Sequence, residues 1–151
     1  MIRRMTSADL MSVYGILNLN LDDYFSEDVV LFFLQQWPAG QFVATDYSGR
    51  IIGVLCGAML DHGRASISLL TVDGSCRGSG VGSSLLENLF VACRINGLTR
   101  VQLEVRTTNR NAIDFYMRRG FRITENLPMF YNDGGSGYRM VRDLSAGINP
   151  S

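Results

Sequence analysis

Residues 76–86 read CRGSGVGSSLL, three glycines in five positions followed at once by a leucine-striped helical pattern. An extended run, ASISLLTVD (residues 65–73), precedes them, and Leu85, Leu86, Leu89, Phe90 and Cys93 recur at helical spacing after them. Gly78, Gly80 and Gly82 leave the backbone amides sterically open at the start of that helix. With the helix dipole behind them and Arg77 in front, such amides suit a phosphate-type anion. A plain strand-to-helix turn is the alternative. A Walker loop is excluded, because it needs Gly-Lys-Ser/Thr and the chain has no lysine. A dinucleotide fingerprint also fails: Ser83 stands where the third glycine belongs, and the strands before the turn read as antiparallel.

Working outward, QFVATD (41–46) and IIGVLCGAML (51–60) read as two strands joined through YSGR, an antiparallel hairpin. Downstream, RVQLEVR (100–106) alternates, with Val101, Leu103 and Val105 on one face and Gln102, Glu104 and Arg106 on the other. TNRNAIDFYMRRGF (108–121) is a short helix, capped by Asn109 or Asn111 and closed by Gly120. FRITE and GYRMVRDL are the closing strands. At the other end a short strand leads into a helix capped within Thr6–Asp9, and a second helix runs from Ser26 to just before Pro38. The sum is one domain over residues 1–144 and a polar tail over 145–151. Its expected class is α/β (α+β), a mixed, mostly antiparallel central sheet flanked by about four helices.

Composition narrows the partners. In 151 residues, 46% of them apolar, no run approaches the roughly 18 apolar residues of a membrane span, so no membrane partner is expected. Formal charge is zero, all 14 cationic side chains are arginine, and they are scattered, which argues against nucleic acid. Cys56, Cys76 and Cys93 are spaced 20 and 17 residues apart and the chain has one histidine, so no metal site is expected. Three free thiols and no leader-like segment imply the cytoplasm.

Arg77-Gly78-Ser79-Gly80-Val81-Gly82 matches the R/Q-x-x-G-x-G/A signature of the GCN5-related N-acetyltransferases (GNAT), and Asn109-x-x-Ala112-x-x-x-Tyr116-x-x-x-Gly120-Phe121 matches that family's second cofactor-side helix. Within the family, LEVRTTNRNAIDFYMRRGF (103–121) resembles the corresponding block of the N-alpha acetyltransferases, both the bacterial ribosomal-protein-alanine type and the archaeal and eukaryotic catalytic subunits. LNLDDYFSEDVVLFFLQQWP (19–38) and PMFYNDGGSGYRMVRDL (128–144) resemble the substrate-side blocks of the latter, with Phe130 in place of their first loop tyrosine. The resemblance implies acetyl-CoA as cosubstrate, its pyrophosphate on the amides of Arg77, Gly78, Ser79, Gly80, Val81 and Gly82. It places the pantetheine arm along Leu70, Thr71 and Val72, with Asn109 as a further contact.

Acetyl transfer to an amine needs an anchored donor, a neutral amine, a polarised carbonyl and a proton for the departing thiolate. Glu104 is the candidate base, in the block where the bacterial alanine-acetylating relatives carry theirs. Tyr116 is the candidate acid, and a backbone amide near residues 70–72 would polarise the carbonyl. No acyl-enzyme on Cys76 is expected, because the family transfers directly. For the acceptor, the resemblance nominates Leu21, Asp23 and Phe25 in a first loop and Tyr131 and Tyr138 in a late loop. The expected activity is transfer of acetyl to protein or peptide N-termini, with an auxiliary subunit or ribosome association left open. Two alternatives stand beside it: acetylation of a small-molecule amine, and a non-catalytic acyl-CoA-binding module.

Overall fold

The computed structural model describes residues 1–20 and 26–145. Seven strands form one sheet: β1 (Ile2–Arg4), β2 (Gln41–Thr45), β3 (Ile51–Met59), β4 (Arg64–Val72), β5 (Arg100–Arg106), β6 (Arg122–Leu127) and β7 (Gly137–Asp143), in the spatial order β1-β2-β3-β4-β5-β7-β6. All neighbours are antiparallel except β4 and β5. Four helices flank the sheet: α1 (Leu10–Asn20), α2 (Glu27–Gln36), α3 (Val81–Ile95) and α4 (Arg110–Arg118). The expected mixed, mostly antiparallel architecture is the observed one.

Burial follows which faces are covered. The strands β2 and β3 are sandwiched, with α3 on one face and α1 and α2 on the other, and so are buried nearly throughout; β3 reads as a continuous apolar run. Leu85, Leu86, Leu89 and Phe90 of α3 pack with Phe42, Leu55, Val101, Leu103, Met140 and Tyr116 in the larger core. A second core joins Val13, Leu17 and Val30 to Val43, Val54, Cys56 and Leu69 on the opposite face. β5 alternates because only its Val101, Leu103 and Val105 face is covered by that larger core. β6, at the sheet edge, is exposed along nearly its whole length.

One irregularity in the sheet bears on the site. In the β3–β4 pairing Leu69 lies opposite Cys56 but Ile67 lies opposite Gly57, which leaves Ser68 as an extra residue. The bulge reverses the alternation of β4. Ala65 and Ile67 belong to the α3-side core, whereas Leu69 belongs to the α1/α2-side core and Leu70 and Val72 pack from the margin of the α3 side. The sequence carries the trace of this as the adjacent pair Leu69-Leu70, which strict alternation does not allow.

Candidate active site

The parallel pairing of β4 with β5 is short. Arg64, Ala65 and Ser66 register with Arg100, Val101 and Gln102, and the pairing stops there, just before the bulge. Residues 67–72 and 103–106 therefore run on without pairing to each other, and the sheet splits open between them. The C-terminal end of β4, which carries Leu70, Thr71 and Val72, borders this opening.

The glycine segment stands at the same end. Asp73 caps a single 3₁₀ turn (Gly74–Cys76), its carboxylate accepting from Ser75 N at 3.0 Å, and the chain then turns into α3. Gly78 and Gly80 adopt φ of +83° and +85°, a left-handed conformation that costs a residue with a Cβ about 1–2 kcal/mol. A Cβ at either would meet nothing within 4 Å, so backbone conformation and open access, not packing, set glycine there. Gly80 is the N-cap of α3 and offers no side-chain cap; the first helix-closing bond is Ser84 N to Gly80 O at 3.0 Å. The amides of Val81, Gly82 and Ser83 thus precede the intrahelical ladder, and open space lies beside Gly78 and Gly80, which suits an anion such as a diphosphate. Gly82 serves packing instead. A Cβ there would stand 3.2 Å from the Phe115 ring, so its absence lets α4 close against the start of α3. Arg119 adds to that clasp, donating to Ser83 Oγ at 2.7 Å while stacking its guanidinium 3.7 Å from the Phe115 ring centroid.

Arg77 does not simply project ahead of the turn. Its Nε donates to the Val72 carbonyl at 3.2 Å and so braces the turn on the end of β4. The Ser79 hydroxyl donates to the Cys76 carbonyl. Asn109 caps α4 by accepting from Ala112 N at 3.2 Å, and its Nδ2 has no partner among the described residues. Both readings of Asn109, cap and cofactor contact, are therefore compatible.

Tyr116 lies 9% exposed in the larger core, edge-on to Phe115 and Phe121 with centroids 5.1 and 5.3 Å away. Burial raises its phenol well above the usual tyrosine range, so the hydroxyl remains a proton donor. Glu104 is on the opposite face of the sheet, since its neighbours Leu103 and Val105 are those that face α3. Its carboxylate is engaged: Arg139 Nε donates to Glu104 Oε2 at 3.1 Å, with both side chains a little over a quarter exposed. Groups on two faces of a sheet reach one reacting centre only through a gap, and the opening beside β5 is such a gap.

Tyr131 and Tyr138 also divide between faces. Tyr131 lies in the β6–β7 connection, where Arg106 stacks 4.1 Å over its ring and pairs with Asp133 at 3.0 Å. Tyr138, nominated with the late loop but also part of the expected GYRMVRDL strand, is the second residue of β7, half-buried against the larger core and opposite Val105. Leu21, Asp23 and Phe25 lie outside the described residues.

The remaining reactive groups are not assembled for chemistry. Cys56 and Cys93 are buried, and burial pushes each thiol up to about 12, which leaves neither a nucleophile. Cys76 is half-buried in the 3₁₀ turn, and His62 sits exposed in the β3–β4 turn with φ of +63°. Among the described residues no group of histidine, cysteine, aspartate or glutamate could hold a metal ion, and no helix is long and apolar enough to cross a membrane.

Residues 10–121 match the Acetyltransferase (GNAT) family. The chain belongs to this family. It is an acetyl-CoA-dependent acetyltransferase. The chain is 34% identical over 144 residues to an uncharacterised N-acetyltransferase of Methanocaldococcus jannaschii, covering 93% of this chain and 90% of that one. It is 27% identical over 135 residues to N-alpha-acetyltransferase 30 of Schizosaccharomyces pombe, covering 87% and 90%. Among solved structures, Ard1 of Thermoplasma volcanium superposes with a TM-score of 0.90 at 36% identity, over 95% of this chain and 97% of that one.

The residues nominated from sequence leave out two that the structure sets beside them, Ser68 at the β4 bulge and Arg139 on Glu104. Ser68 has a local signal, the doubled leucine beside it. Arg139 has none, because its partner Glu104 is 35 residues away and only the β5–β7 register brings them together.

Proposed function

We propose that this acetyltransferase moves the acetyl group of acetyl-CoA directly onto the α-amine of a protein or peptide N-terminus. The supporting observation is the opening between β4 and β5, with the uncapped start of α3 at its end, Tyr116 on one face and Glu104 on the other. The amides of residues 77–83 hold the diphosphate of the donor, and Leu70, Thr71 and Val72 lie along its pantetheine arm. Bound there, the donor supplies the activated thioester. Glu104 takes a proton from the incoming ammonium, directly or through water, and so presents a neutral amine. The Tyr116 hydroxyl hydrogen-bonds the sulfur and protonates it as the thiolate departs, and the tyrosinate is reprotonated by the second proton that the acylated nitrogen loses as the amide forms. A backbone amide at residues 70–72 stabilises the oxyanion. No side chain is acylated.

The N-alpha-acetyltransferase relative, the Ard1 likeness and the aromatic pair Tyr131 and Tyr138 favour an extended peptide N-terminus as acceptor. Leu21 and Phe25 would shape the pocket for the first residue, with Asp23 beside them. The cytoplasm, where such N-termini are made, is the setting this reading assigns, with any ribosome or auxiliary-subunit contact secondary to it. Incubation with acetyl-CoA and peptides differing at their first residue tests the proposal. Acetylation at the α-amine is expected; reaction only at lysine side chains or only with small free amines refutes it.

A further inference from the structure

Arg139 is the middle residue of a cross-strand row. It registers with Glu104 of β5 on one side and with Glu125 of β6 on the other. Its Nε donates to Glu104 Oε2 at 3.1 Å and its Nη1 to Glu125 Oε1 at 2.8 Å, and the two carboxylates hold the guanidinium firmly protonated. The row lies on the sheet face that the larger core leaves uncovered. Its other charged groups are Arg106, paired with Asp133; Arg64, which donates to Gln102; and Arg100, Arg122 and Asp143. Glu104 thus has one oxygen clamped, while Oε1 has no protein partner among the described residues.

We propose that Arg139 is a positioning residue for the base Glu104, and that Glu125 is the counter-ion that lets Glu104 give up its charge during the reaction. The inference rests on the assignment of Glu104 as base. An isolated Glu104–Arg139 pair would be a poor base, since protonating it would strand a half-buried cation. With Glu125 present, the cluster goes from two carboxylates and one guanidinium to one of each. In the step itself an N–H bond of the substrate ammonium breaks and an O–H bond forms at Glu104 Oε1. The nitrogen keeps the electron pair, Arg139 keeps its proton, and its Nη1 stays on Glu125. The clamp on Oε2 fixes the carboxylate plane, so Oε1 points in one direction through the reaction.

The signs of the two perturbations are opposite. Arg139→Met removes the cation between the two carboxylates, and the lower limb of the kcat–pH profile moves up. Glu125→Gln leaves Arg139 to Glu104 alone and moves that limb down, with a lower plateau. Arg139→Lys retains the charge without the fork and keeps the limb near its wild-type position while lowering kcat. CoA affinity and thermal unfolding are measured on each variant. Glu125 is on the exposed edge strand, so Glu125→Gln alone carries the test if Arg139→Met does not fold. Limbs that do not move, or move in the same direction, while Glu104→Gln is inactive overturn the role of Arg139 and leave Glu104 as base. Near-normal turnover in Glu104→Gln overturns the base assignment and this inference with it.

Discussion

Replacing Gly80 by alanine separates the backbone cost of the turn from its role in anchoring the donor. Gly80 has φ of +85° and nothing within 4 Å of the point a methyl group would occupy, so the substitution meets no steric wall; its cost is the left-handed conformation alone, about 1–2 kcal/mol. For a chain of this size that lowers Tm by about 2–8 °C. Gly97, at the far end of the same helix, has φ of +72° and is equally open, so Gly97→Ala imposes nearly the same cost on the fold. Only at residue 80 does relief of the strain reorient the amides of Val81, Gly82 and Ser83 at the start of α3. Loss of one hydrogen bond to a charged group weakens CoA binding by about 10- to 100-fold. Calorimetric titration with CoA, and with pantetheine lacking the diphosphate, distinguishes the two variants. Gly80→Ala should lose CoA affinity and keep that for pantetheine, while Gly97→Ala keeps both. Equal CoA affinity in the two variants would refute the assignment of the turn as the diphosphate seat.

Two further substitutions probe the chemistry and the frame. Tyr116→Phe should lower kcat by about 100-fold while leaving CoA affinity and stability nearly unchanged, because the buried hydroxyl gives up no protein partner among the described residues; unaltered turnover removes Tyr116 as the acid. Asp9 accepts from both terminal nitrogens of Arg3 at 2.8 and 2.9 Å and from the Thr6 amide at 2.8 Å, tying β1 to the start of α1. Chiefly through Arg3, its carboxyl is lowered from 3.8 to about 2, so the stabilisation is present above pH 3.8 and lost as pH falls from there toward 2. Asp9→Asn should therefore destabilise by about 2 kcal/mol at pH 7, with the deficit closing near pH 2 in urea unfolding; a deficit constant across that range contradicts the ion-pair origin of the stabilisation.

Features that local chemistry determines were legible in the sequence. The unbroken apolar run in β3 marks a strand covered on both faces, and the alternation in RVQLEVR marks one covered on a single face. Gly80 and Gly120 sit at left-handed positions where helices begin and end. The glycine turn at the start of α3 was legible for the same reason, since it is one contiguous segment. What surrounds that turn was less so. The split between β4 and β5 depends on a bulge at Ser68 and on where a parallel register ends, and neither has a period. Arg77 is adjacent to the turn in sequence, yet its brace on Val72 depends on how the turn folds back.

Transfer to a peptide α-amine is tested most directly by mass spectrometry of the product. Two peptides of one sequence are incubated with acetyl-CoA and the enzyme, one with a free N-terminus and no lysine, the other with a blocked N-terminus and an internal lysine. Acetyl on the α-amine of the first and an unmodified second are expected. Acetyl on the lysine of the second, with the first untouched, would contradict the assignment of the acceptor.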